Sequence, residues 1–377
     1  MALPRARTCP VRWGLRRAVE SQFSNDGVGM RIAVDAMGGD SAPAAIVEGA
    51  VLAAREHGVG ATLVGDERRV RAELSRHGAA PDGVEVVHAP QVIDMHEFPS
   101  AALRGKTDAS MVVAAGMVAS GDAEAVVSAG NSGALMGAAL SKLGTIEGVS
   151  RPAIAALLPG KEGDVILLDA GANCDCRPKH LVQFALMGDV YARRVLHIAN
   201  PRVGTLNIGE EPTKGNELAK SAYEALSSAD LNFVGNIEGT EVLNGAADVI
   251  VCDGFVGNIA LKLGEGYADL FVTLLQRELS RLPAPIRENE QFLAALQRLQ
   301  RRIDYAEYGG ALLLGVRGVV VISHGRSTPK AVSAAIGVAK ESVVSGVVAG
   351  VASSLRERNM AAQAEAGNAD PEEPISH

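Results

Sequence analysis

Aromatic residues are scarce in this sequence, 3% of 377 residues with a single tryptophan. A core with so few rings must be aliphatic, and an aliphatic core rich in turns suits α/β layers better than an all-β sandwich. Cysteine is scarce too. Cys9, Cys174, Cys176 and Cys252 form no disulfide framework, which fits a reducing cytoplasm. Cys174 and Cys176 make only a C-x-C pair with no second Cys/His cluster at familiar spacing, so no metal is expected. A thiolate nucleophile there is conceivable, but the chemistry reached below does not need one. No run of about 18 apolar residues exists, so no transmembrane helix is expected, and no stretch of signal-peptide character either. Positive charge is in deficit. A net charge of −8 disfavours bulk nucleic-acid binding and leaves any acidic partner to find a local basic patch. The G-x-G-x-x-G fingerprint is absent from the first strand–helix turn, which weakens a dinucleotide reading.

Glycine, by contrast, is abundant, with 42 copies, and hydrophobic residues make up 47%. The glycines fall where strands end. In the stretch Ala125 to Gly137 a short apolar strand meets a tight turn and then a helix of small residues. Gly130 and Gly133 permit turn geometry that a side chain would block. Asn131 and Ser132 are good N-cap types, and a helix opening behind such a turn offers free backbone N–H groups to an anion. An ordinary strand-to-helix turn would read the same way, but the pattern recurs. Arg31–Ala36 runs into Met37–Pro43, with Gly38, Gly39 and Asp40. Asp35 and Asp40 there are readable as metal ligands, as ligand-orienting groups or as helix caps, capping being the default for Asp40. Val165–Leu168 runs into a turn with Asp169, Asn173 and Asp175, carboxylates that cost stability if buried without partners. Ala247–Cys252 runs into Asp253–Asn258, and Gly318–Ile322 into a turn carrying His324. Further strands are expected at 61–65, 84–88, 202–208 and 233–237, separated by helices. This alternation predicts parallel βαβ units, whose strand ends are where open α/β sheets place ligands.

Four cations are candidates for an anion site: Arg104 and Lys106 before a helix, Lys214 in a loop with paired acids, and Lys262 on the helix after Asn258. Arg104 and Lys106 read more readily as charges on a solvated loop, and Lys262 as readily as a surface lysine. Residues 265–305 depart from the rhythm. Tyr267, Leu270, Phe271, Leu274 and Leu275 follow helical spacing, Pro283 and Pro285 interrupt it, and Phe292, Leu296, Leu299 and Ile303 resume it. An amphipathic helical hairpin is expected, resting on the core, on a second subunit or on an anionic membrane surface. A helix at 329–355 ends the fold. Residues 1–29, basic at the start, are expected to be a disordered or non-native extension. Residues 356–377 are expected to be a flexible tail, leaving 30–355 as one domain.

The motifs Met30–Asp40, Ser128–Ala134, Asp169–Asn173, Leu181–Gly188, Leu206–Glu211, Asp253–Asn258, Tyr308–Ala311 and His324–Ser327 together resemble phosphate acyltransferase of bacterial phospholipid synthesis. The resemblance covers residues 30–355 in order. Ser132 stands where threonine is expected and keeps the hydroxyl. The resemblance implies a three-layer αβα sandwich with a largely parallel sheet, similar to the isocitrate/isopropylmalate dehydrogenase group, with the hairpin protruding. It implies transfer of a fatty acyl group from acyl carrier protein to inorganic phosphate, with no cofactor and no covalent enzyme intermediate. The acyl phosphate would feed a membrane glycerol-3-phosphate acyltransferase. The enzyme would be a cytoplasmic homodimer peripherally bound at the inner face of the membrane. Asn131, Ser132 and Asn173 would serve the tetrahedral oxyanion beside Asp169, and His324 would protonate the leaving thiol unless it leaves as thiolate. Gly38, Gly39, Asp40, Arg104, Lys106, Gly130, Gly133, Lys214, Asn258 and Lys262 would bind phosphate or substrate.

Two rival readings remain at this level. A nicotinamide-dependent decarboxylating dehydrogenase would share the fold but needs a metal-binding aspartate cluster and a tyrosine–lysine pair. A non-catalytic carrier-protein or lipid-binding regulator would bind without forming acyl phosphate.

Overall fold

The computed structural model describes residues 29–78, 81–304 and 307–368. The extension expected at residues 1–29 lies, but for Gly29, outside the described residues. The first half of the chain builds β1 (Arg31–Asp35), α1 (Ala44–His57), β2 (Gly60–Gly65), α2 (Glu67–Leu74) and β3 (Val84–His88). It continues with α3 (Pro99–Gly105), α4 (Ser110–Ser120), β4 (Ala125–Ser128) and α5 (Ser132–Lys142). Then come β5 (Ala153–Pro159), β6 (Asp164–Leu168), α6 (Pro178–Arg194), β7 (Val203–Asn207), α7 (Glu217–Ser227), β8 (Phe233–Glu238) and β9 (Val249–Val251). The chain closes with α8 (Gly254–Ser280), α9 (Ala284–Arg287), α10 (Glu290–Ile303), β10 (Ala311–Leu314), β11 (Val319–Ile322), α11 (Pro329–Val344) and α12 (Val347–Asn368).

The strands form one 11-stranded sheet in the order β3-β2-β1-β4-β11-β10-β5-β6-β9-β7-β8. Strand faces alternate as the pleat requires: Ile32 and Val34 enter one core, Ala33 the other. α1, α6 and α11 cover the first face through residues such as Val47, Phe184 and Ile336. α3, α4 and α5 cover the second through Ala102, Met111 and Leu135, and Leu261 of α8 packs beside them. The result is a three-layer αβα sandwich with a largely parallel sheet.

β5 is the strand absent from the sequence reading. Its residues, Ala-Ile-Ala-Ala-Leu-Leu-Pro, show no polar alternation because its first half is buried on both faces. It pairs antiparallel with both β10 and β6, and β10 pairs antiparallel with β11. One level of paired residues crosses the centre: Val34, Val127, Val321, Leu312, Ala155, Leu168 and Val251. The β1–β4–β11 block and the β6–β9–β7–β8 block point in opposite directions across this row. Asp35 and Asp169, each one residue past it, therefore lie on opposite sides.

The hairpin differs from expectation in its root. Its first arm is continuous from Gly254, so the helix that follows β9 is the same rod that leaves the core. The return end is tied down by Arg302, whose guanidinium reaches Asp164 Oδ1 at 2.9 Å and the Gly160 carbonyl at 2.8 Å. The helix expected at 329–355 is two, α11 and α12, meeting at 45° around Gly346, whose φ is +62°. α12 continues through Asn368, where a tail was expected. Among the described residues, no single helix is long and apolar enough to cross a membrane.

Candidate active site

Three strand ends converge on one side of the sheet. Asp35, at the end of β1, is 1% exposed. It accepts hydrogen bonds from Ser128 Oγ at 2.6 Å and from the Met37 amide at 3.2 Å, and the Ser110 hydroxyl bonds it as well. Ser128 ends β4 and in turn accepts from the Gly130 amide at 3.0 Å. Burial pushes the Asp35 carboxyl above the ordinary range, against the pull of these donors. The turns after β1 and β4 touch through backbone. A Cβ on Gly38 would fall on Asp35 Oδ2 and lie 2.7 Å from the Gly130 nitrogen, so only glycine fits. The third strand end joins through the Asp40 amide, which donates to the Gly325 carbonyl at 2.8 Å.

α5 opens on this cluster. Asn131 caps it by accepting from the Ala134 amide at 3.1 Å. The preceding amides, of Ser132 and Gly133, are first-turn donors with no partner inside the helix. The Asn131 amide group is committed elsewhere: it donates to the carbonyls of Met95 and Glu97 at 3.1 and 3.0 Å. Asn131 thus clamps a loop over the cradle, with the amide group that was expected to serve an oxyanion bonded to that loop.

His324, half-buried after β11, faces α8. Lys262 Nζ stands 3.3 Å from His324 Nε2 and 2.9 Å from Glu265 Oε2. His324 Nδ1 accepts from the Arg326 amide at 3.2 Å. Burial, then Lys262, lowers the His324 pKa; Arg326 acts the same way, while Glu265 and Asp40 oppose it. The ring is therefore neutral near pH 7.

Asp169 organises the other side. Its carboxylate, 0% exposed, takes the amides of Ile154, Gly171 and Ala172 on Oδ1. On Oδ2 it takes the amide and the side chain of Asn173. Burial pushes this carboxyl up, again against the N–H donors. Asn173 Nδ2 is further held by the Pro152 carbonyl at 2.8 Å. With these bonds made, Asp169 and Asn173 shape the turn at the end of β6. α8 starts against this turn. A Cβ on Gly171 would meet the Asn258 side chain at 3.3 Å. Asn258 and Lys262 are one helical turn apart, so one face of α8 joins the Asp169 turn to His324.

The remaining candidates do not gather here. Lys106 is engaged by Glu97 at 2.5 Å and the Val92 carbonyl at 2.7 Å, holding the loop that Asn131 clamps. Arg104 is exposed on the last turn of α3. Lys214 follows β7, two strands from β6 on the Asp169 side. Burial, with Asp169 and Asp253, pushes the Cys176 thiol up to about 11 and Cys252 up as well, so neither is a thiolate. Among the described residues there is no group of three or more His, Cys, Asp or Glu that could hold a metal. Two residues of this site, Ser128 and Arg326, were not singled out from sequence, whereas Asp35 was. Asp35 carried a faint signal, an acid ending an otherwise apolar strand; Ser128 and Arg326 lay within quoted motifs.

A family described as "Fatty acid synthesis protein" matches residues 30–349. A curated relative from Pelotomaculum thermopropionicum, named phosphate acyltransferase, is 52% identical over 326 residues, 86% of this chain and 95% of its own length. Among solved structures, a phosphotransacetylase from Streptococcus pyogenes superposes with a TM-score of 0.57 at 18% identity, covering 84% of this chain and 94% of that one. A 4-hydroxythreonine-4-phosphate dehydrogenase from Klebsiella pneumoniae gives 0.51 at 14% identity, over 84% and 99%. A transferase and a dehydrogenase thus share the fold, and the fold alone does not choose the chemistry. The close relative and the family match do: this chain belongs to the phosphate acyltransferase family of fatty acid and lipid synthesis, and it is an acyltransferase enzyme.

Proposed function

We propose that the enzyme moves a fatty acyl group from the thioester of acyl carrier protein to inorganic phosphate, releasing acyl phosphate and the free carrier thiol. The observation that carries this reading is the pairing of Lys262 and His324 beside the glycine turns. Because Nδ1 accepts the Arg326 amide, the neutral ring keeps its proton on Nε2, an assignment made from the hydrogen-bond network. An N–H then faces an ammonium at 3.3 Å. Lys262, held by Glu265 at 2.9 Å, thus brings a cation to His324 beside the glycine turns, and phosphate is an anion that such a cation attracts.

Phosphate rests on the Gly38–Gly39 and Gly130–Gly133 turns, with the first-turn amides of α5 as donors. One phosphate oxygen attacks the thioester carbonyl carbon. The carbon–oxygen bond forms, the carbonyl electrons move onto oxygen, and the tetrahedral oxyanion accepts a hydrogen bond from Asn258, the exposed amide one turn before Lys262. Its collapse breaks the carbon–sulfur bond. The thiol leaves as thiolate and takes a proton from solvent, since a neutral His324 is a hydrogen-bond donor rather than an acid. No covalent enzyme intermediate and no cofactor enters. Holding phosphate against the carbonyl contributes up to about 7–11 kcal/mol of barrier lowering in favourable cases.

The same reading makes the enzyme a cytoplasmic homodimer at the inner membrane face, handing acyl phosphate to a membrane glycerol-3-phosphate acyltransferase. Support comes from α8, where Phe255, Ile259, Leu263, Tyr267, Leu270, Phe271 and Leu274 form a row 49–66% exposed.

The test is acyl transfer from acyl carrier protein with and without phosphate, following free thiol and acyl phosphate together. Phosphate-dependent thiol release with equimolar acyl phosphate is expected. Thiol release indifferent to phosphate, from folded protein, would overturn the reading.

A further inference from the structure

We propose that Asp35 is a positioning residue for the anion cradle: it sets the direction of the Gly130 amide through Ser128 and fixes the Gly38–Gly39 turn through the Met37 amide. The inference rests on the reading of these turns as the phosphate site.

Asp35 itself is sealed from solvent and touches no substrate. Its burial is costly, and an aliphatic residue at the end of β1 would be cheaper for stability alone. What the carboxylate provides is direction. The Ser128 hydroxyl has one proton, and it is spent on Asp35 Oδ2 at 2.6 Å. Ser128 Oγ must then present a lone pair to the Gly130 amide, which it meets at 3.0 Å. The second carboxylate oxygen is occupied by the Met37 amide at 3.2 Å, in the residue just before Gly38. Ser110, the first residue of α4, also bonds the carboxylate. One buried group thus sets two glycine turns whose backbones touch, and it does so from the side away from solvent.

Asparagine cannot replace it. The Met37 amide demands an oxygen at the Oδ1 position, which leaves an NH2 facing the Ser128 hydroxyl. The hydroxyl proton then has no carboxylate to go to and must rotate, so the lone pair held toward the Gly130 amide is no longer fixed in direction. The consequence should fall on phosphate rather than on the acyl donor, because the cradle meets phosphate.

The experiment uses the full chain carrying Asp35→Asn, Ser128→Ala or both. It measures KM for phosphate, KM for acyl carrier protein thioester, and the thermal shift that inorganic phosphate produces. The KM for phosphate should rise about tenfold in each single variant, the scale of one mispaired buried hydrogen bond. The KM for the acyl donor should stay within about twofold, and the phosphate-induced shift should shrink. The double variant should be no worse for phosphate than the worse single, since both changes break one relay. Folded variants with wild-type phosphate KM, or losses shared equally by both substrates, would overturn the proposal, as would failure of every variant to fold. The wild-type protein is the control for the underlying reading. If it shows no phosphate dependence, the phosphate site itself is wrong; if it does and the variants match it, only the role of Asp35 is wrong.

Discussion

Lys262 Nζ and His324 Nε2 stand 3.3 Å apart although their elements approach from opposite sides of the sheet. β11 delivers His324 on the Asp35 side. α8 starts on the Asp169 side, packs over β5 and β6, and reaches His324 with its third turn. The contact exists because β10 and β5 reverse the direction of half the sheet between them.

That contact has a titration signature. Lys262→Ala should raise the His324 pKa toward its ordinary 6.5 while leaving it lower than that, because burial is the larger cause and remains. The folded pKa lies below the unfolded one, so between the two the unfolded chain binds more protons. Stability should fall as pH drops through that window, over a narrower range in the variant. Histidine-resolved NMR titration checks the shift, and an unmoved or lowered His324 pKa would contradict the geometry.

Asp169→Ala should cost at least about 3 kcal/mol, because it removes the acceptor of five N–H donors, three of these bonds being buried. Asp169→Asn should also destabilise, since both carboxylate oxygens face N–H groups. Urea unfolding at neutral pH measures both. A variant as stable as the parent would show that the turn at residues 169–173 does not depend on this carboxylate.

Glycines along α8 should divide sharply. A Cβ on Gly257 would collide with the Asp169 carbonyl and come within 2.9 Å of Cys252 Sγ, and one on Gly254 would lie 2.7 Å from Asp169 Oδ2. Gly257→Ala should displace Asn258 and Lys262 and lower kcat about 100-fold, the scale of a misplacement of about 1 Å. Gly264→Ala and Gly266→Ala meet nothing within 4 Å and should be neutral or stabilising by up to about 1 kcal/mol. Steady-state rates and thermal melts on the three variants decide it.

The apolar row on α8 should matter to association and not to chemistry. Phe271→Glu with Leu274→Glu should reduce flotation with anionic vesicles, or shift the sedimentation coefficient toward a monomer, while the phosphate KM stays within about twofold. Unchanged flotation and unchanged sedimentation together would show that the row is not an interface.

The sequence by itself determined the local grammar. Strand ends at Asp35, Ser128, Leu168 and Ile322 follow from apolar runs closed by glycine, asparagine and aspartate, and the hairpin follows from helical spacing broken at Pro283 and Pro285. These features depend on residues a few positions apart. Tertiary structure decided the rest. β5 is invisible as a pattern because burial on both faces removes alternation. Asn131 and Lys106 look available until the loop at residues 92–97 occupies them. Asp35 matters through Ser128, which lies 93 residues along the chain. A polar side chain's role is set by what satisfies its hydrogen bonds, and in this protein those partners come from distant strands that only the folded sheet brings together.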